Sequence, residues 1–216
     1  MIVAIDGPAG SGKSAVGKRV AAALGLPFVD SGLMYRAIAC LAVDRGVDPA
    51  DGAALAKLAH RVRVGVDGRN VTVDGVDYTS RVYDPDLSEA ASRVAKVAGV
   101  RLALVAQQRR MGRGGVVMAG RDIGTVVFPD TAHKFFLTAS VEERARRRAA
   151  QIEERGERAD TEELRKEVVE RDRRDGGRSV SPMRAAEDAV VIRTDDMTLG
   201  EVVDAVVGHI RARTAV

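Results

Sequence analysis

The chain has 216 residues, 45% of them hydrophobic and 30% charged, with a formal net charge of only +3. This length suits one compact domain with a modest insertion, and the nearly balanced charge does not resemble that of a highly cationic tail. Aromatic residues make up 3% of the chain, which leaves few rings for stacking bases and argues against nucleic acid as a partner.

The cysteine count and the hydropathy pattern indicate in which compartment to expect the protein. Cys40 is the only cysteine, so an internal disulfide or a cysteine metal cluster is excluded. We find neither a signal peptide nor an apolar run of about 20 residues. We therefore expect a cytoplasmic protein without a membrane partner, and we expect a monomer because no interface stripe stands out.

The N-terminal part of the chain alternates strands and helices. Residues 2–6 form a short apolar run that predicts a buried parallel strand, and apolar residues recur at helical spacing from Lys13 to Leu24. Gly25 then ends this helix. A second short strand is predicted at 27–29, followed by a helix over about 30–44.

Residues 61–83 have a different pattern. Two alternating segments flank the turn signal Asp67-Gly68, and a third segment follows the turn signal Asp74-Gly75. This pattern predicts a small antiparallel meander, which interrupts the chain as an insertion.

Strands and helices alternate again in the remainder of the chain. We predict helices at about 86–112, 140–155, 161–173 and 199–213, and strands at 115–119, 134–137 and 190–192. Such alternation predicts the α/β class, with a parallel sheet that is flanked by helices on both faces.

The P-loop, residues 7–14, matches the Walker A pattern and lies between a predicted strand and a predicted helix. Its glycines allow backbone N–H groups to surround phosphate oxygens, and the helix N-terminus adds partial positive charge. The pattern predicts that Lys13 reaches the β- and γ-phosphates of ATP and that the Ser14 hydroxyl binds Mg²⁺. The predicted ATP-binding residues are Gly7, Ala9, Gly10, Ser11, Gly12, Lys13 and Ser14.

A P-loop does not by itself distinguish a kinase from a regulatory GTPase. The guanine-specific motif Asn-Lys-x-Asp does not occur in the sequence, which favours a kinase. A kinase needs a second anion site for its acceptor, and charged residues follow two of the predicted strands. Arg36 follows the second strand, and Arg121 and Asp122 follow the third, so we expect them at the same edge of the sheet.

Together these segments closely resemble the bacterial cytidylate kinases, which are nucleoside monophosphate kinases. The resemblance covers most of the chain and implies a P-loop kinase fold with an acceptor-binding insertion and a helical lid. It also implies transfer of the ATP γ-phosphate to CMP and dCMP, with Mg²⁺, in pyrimidine metabolism. The matching segments are the P-loop, 30–36, 120–127, 170–175 and 178–182.

The resemblance assigns roles to individual residues. Asp122 would help to read cytosine, because a carboxylate can accept a hydrogen bond from the exocyclic amine that uracil lacks. Arg36 and Arg121 would hold the acceptor phosphate, and Arg178 would approach the transferring phosphoryl group. The implied acceptor-binding residues are Ser31, Arg36, Ser92, Arg101, Arg121, Asp122, Arg171 and Asp175, and the implied catalytic residues are Lys13, Arg121 and Arg178.

The implied organisation is a single domain, 1–216, in which residues 140–173 resemble the lid of the family. Arginines of a lid stabilise charge on the transferring phosphoryl group and exclude water, and Arg148 and Arg158 are candidates. The implied core comprises 1–60, 86–139 and 174–216, with the acceptor-binding insertion at about 61–85.

One position departs from the family pattern. The residue before Gly120 is usually acidic in the family, and here it is Ala119. An acidic group at that strand end could order a water bound to Mg²⁺. The departure leaves open whether Asp30 takes over this role.

Two other functions remain compatible with the sequence. The acceptor could be UMP or a non-nucleotide such as shikimate, which a panel of acceptors would reveal. The pI near 9.2 suggests instead an ATP-dependent nucleic-acid-binding module. Such a module would bind oligonucleotides in a salt-dependent way without phosphorylating CMP.

Overall fold

The computed structural model describes residues 1–84, 87–178 and 180–214. The predicted boundary between insertion and core, at 85 and 86, lies outside the described residues, as does residue 179 of the segment 178–182. None of the helices in these ranges is both long enough and apolar enough to cross a membrane.

The elements alternate along the chain much as the sequence predicts. In chain order they are β1 (Ile2–Asp6), α1 (Lys13–Leu24), β2 (Phe28–Asp30), α2 (Ser31–Asp44), α3 (Gly52–Arg61), β3 (Val64–Asp67), β4 (Asn70–Val73), β5 (Val76–Asp77), α4 (Thr79–Val82), α5 (Leu87–Val94), α6 (Ala98–Met111), β6 (Val116–Gly120), a π-helical turn (Ile123–Val127), β7 (His133–Thr138), α7 (Val141–Glu153), α8 (Thr161–Gly176), β8 (Val190–Arg193) and α9 (Leu199–Thr214).

Five parallel strands form the main sheet, in the order β2-β6-β1-β7-β8. Every residue of β6 is buried, as expected for a parallel sheet that is covered on both faces. On one face Val16 of α1 and Val206 of α9 pack against the strands, and on the other Met118 packs with Ile123 of the π-helical turn. The predicted α/β fold is therefore confirmed. The P-loop lies at the end of the central strand.

The strands β3, β4 and β5 form a separate antiparallel sheet. Gly68 and Gly75 have φ angles of +60° and +84°, which suit glycine in tight hairpin turns. Val64, Val71 and Val73 pack with residues of α2 and α3 in one hydrophobic cluster. The predicted antiparallel meander is confirmed.

Four helical features differ from the prediction, since α3, α4 and the π-helical turn were not predicted and one predicted helix is divided in two. The sequence analysis missed α3, although Asp51 accepts a hydrogen bond from the Ala54 N–H at 2.9 Å as its N-cap, and Leu55 and Leu58 are buried. The predicted helix over about 86–112 is two helices, α5 and α6. Val97, the N-cap of α6, is extended with φ −73° and ψ 111°, so the helix cannot continue through it.

Candidate active site

The P-loop needs glycine where it approaches β7 and α7. Gly7 and Gly10 have φ angles of +146° and +78°. A Cβ at Gly7 would lie 2.0 Å from the carbonyl oxygen of Leu137, and a Cβ at Gly10 would lie 3.0 Å from the Cβ of Arg144. The two glycines thus allow the curved backbone in which N–H groups can surround an anion.

Lys13 places a buried cation in this loop. Its side chain is 7% exposed, and its ammonium group donates to the Pro8 carbonyl at 2.5 Å and to Ser11 Oγ at 3.4 Å. Burial, followed by the charge of Arg121, holds the pKa of Lys13 well below its usual range. An anion at the loop would offset both effects, so the environment of Lys13 fits the triphosphate of ATP.

Ser14 and Asp30 form a pair of oxygen groups beside the loop. Ser14 Oγ donates to Asp30 Oδ2 at 2.6 Å, and Asp30 Oδ1 accepts from the Gly32 N–H at 3.0 Å at the start of α2. Hydroxyl and carboxylate oxygens are ligands that suit Mg²⁺. Within the described residues no group of three His, Cys, Asp or Glu side chains could hold a metal, so this ion would take further ligands from nucleotide phosphates and water.

Ala119 lies next to this pair in the sheet. It is 1% exposed, and the register pairs it with Asp30 of β2 and with Ile5 of β1. Residues in register on neighbouring strands share a face, so Ala119 and Asp30 are on the same face of the sheet. The Ala119 carbonyl also accepts a hydrogen bond from Ser31 Oγ at 2.9 Å, which joins the start of α2 to β6. Asp30 therefore supplies a carboxylate on the face where the family usually has its acidic residue.

Arg101 and Asp122 form a buried ion pair between α6 and the segment after β6. Their side chains are 2% and 6% exposed. Arg101 also donates to the Ala95 carbonyl at 3.2 Å, and its guanidinium carbon lies 5.3 Å from the centre of the Tyr35 ring. Arg101 Nε and Ser92 Oγ are buried without a hydrogen-bond partner in the part of the chain that the structure describes. Because an unsatisfied buried donor is costly, both atoms are suited to a polar ligand.

Asp175 of α8 connects two of the predicted arginines. Its Oδ2 accepts from Arg121 Nε at 2.9 Å, and its Oδ1 accepts from Arg178. Burial alone would raise the pKa of Asp175, but Arg121 and Arg178 lower it below the usual value. The carboxylate therefore stays ionised and holds both guanidinium groups in place.

Arg171 and Arg36 add further positive charge beside this group. Burial, followed by the charge of Arg121, lowers the pKa of Arg171 to about 10, with a smaller contribution from Arg36. Arg171 Nε is buried without a hydrogen-bond partner among the described residues. Arg36 donates to the carbonyls of Val82 and Asp84, at 2.9 and 3.1 Å. The predicted acceptor arginines thus lie close enough to influence each other, and an anion between them would reduce their repulsion.

Asp6 is a buried residue that the sequence analysis did not assign to the site. It ends β1, and its carboxylate accepts from the Ile123 N–H at 2.9 Å and from the Gly124 N–H at 2.7 Å. Burial raises its pKa to about 6, although these two hydrogen bonds oppose the rise. Asp6 therefore holds the turn that follows Arg121 and Asp122. A charged residue at the end of an apolar strand was the available signal.

Two cavities of the molecule lie away from this site. A cavity of about 620 Å³ lies beside Met1 and Phe128, and another of about 1140 Å³ lies along β3 and α6. Neither is lined by a residue that the sequence predicts for ATP or acceptor binding. The candidate site is defined by its charged groups at the ends of β1, β2 and β6.

Comparison with known proteins identifies the family. A family model described as cytidylate kinase matches residues 3–212. The chain belongs to the cytidylate kinase family. A cytidylate kinase from Desulforamulus reducens is 48% identical over 209 residues, which cover 95% of this chain and 94% of that protein. The cytidylate kinase of Caldanaerobacter subterraneus subsp. tengcongensis is 43% identical, over 98% of this chain and 95% of that protein.

Other relatives are longer or more distant. A bifunctional pantoate ligase/cytidylate kinase from Synechococcus sp. is 45% identical over 95% of this chain, but the chain spans only 40% of that protein. Among solved structures, a gluconokinase from Sinorhizobium meliloti 1021 matches with a TM-score of 0.50 and 16% identity. That match covers 99% of this chain and 93% of the gluconokinase chain. At this identity the likeness shows the kinase fold alone. The predicted resemblance to the cytidylate kinase family is confirmed.

Proposed function

We propose that this cytidylate kinase family member transfers the γ-phosphate of ATP to CMP and dCMP, giving ADP with CDP or dCDP. The observation that carries the proposal is that the acceptor arginine Arg121 follows a strand beside the one that leads into the P-loop. Asp6, the residue before the P-loop, pairs with Gly120, the residue before Arg121, so the P-loop and this acceptor arginine lie at the same edge of the sheet. Two anions can therefore be bound side by side, which is what phosphoryl transfer between nucleotides requires.

The donor side acts through charge and backbone. The P-loop N–H groups and Lys13 bind the β- and γ-phosphates. Ser14 and Asp30 would hold Mg²⁺ with the phosphates, and this ion neutralises charge on the transferring phosphoryl group. No general base is needed, because an acceptor phosphate oxygen is already nucleophilic and catalysis depends on positioning.

The acceptor side recognises phosphate, base and ribose separately. Arg36 and Arg121 bind the phosphate of CMP, while the buried pair of Arg101 and Asp122 faces the cytosine together with Ser92. The Ser92 hydroxyl and Arg101 Nε supply unsatisfied donors for the acceptors of cytosine, and Asp122 accepts from its amine. Arg171 and Asp175 contact the ribose, and Arg178 approaches the transferring phosphoryl group.

The helices α7 and α8 form the lid in this proposal. They pack on each other through a small separate cluster that contains Ala145, Ala149 and Leu164. This cluster lets the joined ends of α7 and α8 move together while Arg144 and Asp172 hold the other ends at the P-loop. Closure of the joined ends would exclude water and bring arginines toward the phosphates. The core, the insertion at about 61–85 and the lid at about 140–173 make up one domain in this proposal. A cytoplasmic location and a monomeric state belong to the same proposal.

A coupled assay of ADP formation tests this function. We expect rapid ADP formation with CMP and dCMP, slower formation with UMP, and none with AMP, GMP or shikimate. ADP formation with UMP or shikimate but not with CMP would show that UMP or shikimate, and not CMP, is the acceptor. If no acceptor supports turnover and oligonucleotides bind in a salt-dependent manner, the nucleic-acid-binding alternative holds instead.

A further inference from the structure

Arg144 of α7 is buried where α7, α8 and the P-loop meet. Its side chain is 4% exposed. It donates to the Ala9 carbonyl of the P-loop at 3.2 Å and to both carboxylate oxygens of Asp172 on α8, at 3.0 and 2.5 Å. A guanidinium group is planar and rigid, so a single group connects the phosphate-binding loop to α8.

The packing around Arg144 leaves little room for independent movement. A Cβ at Gly10 would lie 3.0 Å from the Arg144 Cβ and 3.3 Å from its carbonyl oxygen. Arg144 Nε also donates to the Ala139 carbonyl at 3.0 Å, which fixes the guanidinium from another direction. A displacement of the P-loop at Ala9 and Gly10 must therefore move Arg144 with it.

The helix α8 carries acceptor-side residues next to Asp172. Arg171 precedes it, and Asp175 follows one helical turn later, where it accepts from Arg121 and Arg178. Residues three apart on a helix are neighbours on its surface. Asp172 thus connects α8 to the donor loop, and Asp175 connects the same part of α8 to the acceptor arginines.

A second ion pair between α7 and α8 provides a contrast. Arg148 and Glu167 are 3.1 Å apart, and their side chains are 31% and 48% exposed. No hydrogen bond joins this pair to the P-loop within the ranges that the structure describes. Exposed ion pairs contribute little to holding two helices together, whereas loss of one partner from a buried pair is strongly unfavourable.

We propose that Arg144 and Asp172 are positioning residues that couple the ATP-binding loop to the acceptor-binding face of α8. The inference rests on the proposed function, which places ATP at one end of this contact and CMP at the other. ATP phosphates fix the position of the loop at Ala9. Arg144, which is hydrogen-bonded to both Ala9 and Asp172, then fixes the position of Asp172. Because Asp172 and Arg171 are neighbours on α8, Arg171 is held in place to contact CMP. Each nucleotide should raise the affinity for the other by the same factor, because coupling between two sites is reciprocal.

Calorimetric titration of CMP, with and without a saturating non-hydrolysable ATP analogue and Mg²⁺, tests this coupling. In the wild type we expect the analogue to tighten CMP binding by about 5-fold or more. Asp172→Asn keeps the shape of the side chain but removes its charge, and it should reduce this factor to about 1–2-fold. The matched control Glu167→Gln removes an equal charge from the same helix and should retain the wild-type factor.

Three results would overturn the inference. These are an absence of coupling in the wild type, an unchanged coupling factor in folded Asp172→Asn, and an equal loss of coupling in Glu167→Gln. A lower Tm with intact coupling counts against it, because a merely structural pair would behave in that way. If circular dichroism shows that Asp172→Asn is unfolded, Arg144→Lys replaces it, since lysine keeps the charge but cannot bridge Ala9 and Asp172. CMP turnover is measured separately, so failure of the proposed function is distinguishable from loss of coupling.

Discussion

The donor side of the site comes from one continuous segment, 7–14, whereas the acceptor side is assembled from residues on α2, α5, α6, α8 and the segment after β6. The donor loop depends on glycine conformations, backbone groups and one buried lysine. The acceptor side depends on charged side chains that hold each other, as Asp175 holds Arg121 and Arg178. A substitution in the loop should therefore impair the use of ATP alone. A substitution on the acceptor side should also displace the charged side chains that the substituted residue holds in place.

The largest expected effect is the loss of the P-loop cation. Lys13→Ala should lower kcat by about 10³–10⁵-fold, the range found when a cation that stabilises a transferring phosphoryl group is removed. Thermal unfolding should stay close to that of the wild type, because burial of the ammonium group is itself unfavourable. Steady-state kinetics and a melting curve check both statements. Near-normal turnover by a folded variant would refute the proposed donor chemistry.

On the acceptor side, Asp175→Ala should lower kcat/KM for CMP by about 10²-fold, which corresponds to roughly 3 kcal/mol. Two guanidinium groups lose their shared carboxylate and repel each other. The KM for ATP should change far less, since the P-loop is untouched. Initial rates measured against each substrate in turn separate the two parameters. A change confined to the ATP parameters would reverse the assignment of donor and acceptor sides.

Asp6 precedes the donor loop and accepts hydrogen bonds from the turn that follows the acceptor residues Arg121 and Asp122. The titration of its carboxyl group therefore tests a contact between the two sides. Burial raises its pKa from 3.8 to about 6, so between these values the folded state binds the proton more tightly than the unfolded state. The stability contributed by protonated Asp6 is thus fully present below about pH 4 and is lost as the pH rises through about 6. Relative to Asp6→Asn, the wild type should lose roughly 3 kcal/mol of unfolding free energy over that range. Urea unfolding of both proteins at several pH values measures the difference, and a constant difference would contradict it.

Asp122→Asn addresses base recognition within the acceptor side. The variant loses the carboxylate that accepts from the cytosine amine, so selectivity for CMP over UMP should fall by roughly 1–3 kcal/mol, or about 5–150-fold. Arg101 also loses its buried partner, so a moderate decrease in Tm should accompany the change. The ratio of kcat/KM values for CMP and UMP is the decisive quantity. An unchanged ratio would show that Asp122 does not read the base.

The smallest effect is expected from Ala119→Asp, on the metal side of the donor site. The sequence leaves open whether Asp30 replaces the usual acidic residue, and in the structure Asp30 accepts a hydrogen bond from Ser14 at 2.6 Å. A second carboxylate on the same face should repel Asp30, and one of the two should hold a proton near neutral pH. We therefore expect a rate decrease of about 10-fold at low pH and unchanged selectivity for CMP. Identical Mg²⁺ titrations of variant and wild type at two pH values would place position 119 outside the influence of the metal.

The contrast between the two sides also explains what the sequence could predict. The P-loop was predictable because its pattern is local and contiguous. The acceptor residues were reached through resemblance, and their partners were not predictable. An arginine after a strand, such as Arg121, can pair with many carboxylates, and only the fold brings Asp175 to it.

Arg144 shows the same difficulty within one helix. Its neighbour Arg146 has a side chain that is 68% exposed, while the Arg144 side chain is 4% exposed. Both belong to an arginine-rich stretch, and helical periodicity alone does not say which one meets the P-loop. The π-helical turn after Asp122 was missed for a similar reason, since its geometry depends on Asp6, more than 100 residues away in the sequence.

The hydrogen bonds of Arg36 have a consequence for the backbone of α4 and the residue pair that follows it. The same guanidinium that is proposed to bind the acceptor phosphate donates to the carbonyls of Val82 and Asp84. A phosphate that recruits this Nη atom competes with those carbonyls and loosens the end of the insertion. Arrival of the acceptor should then be detectable at a distance from the transferred group, as a change in the carbonyl carbon chemical shifts of Val82 and Asp84.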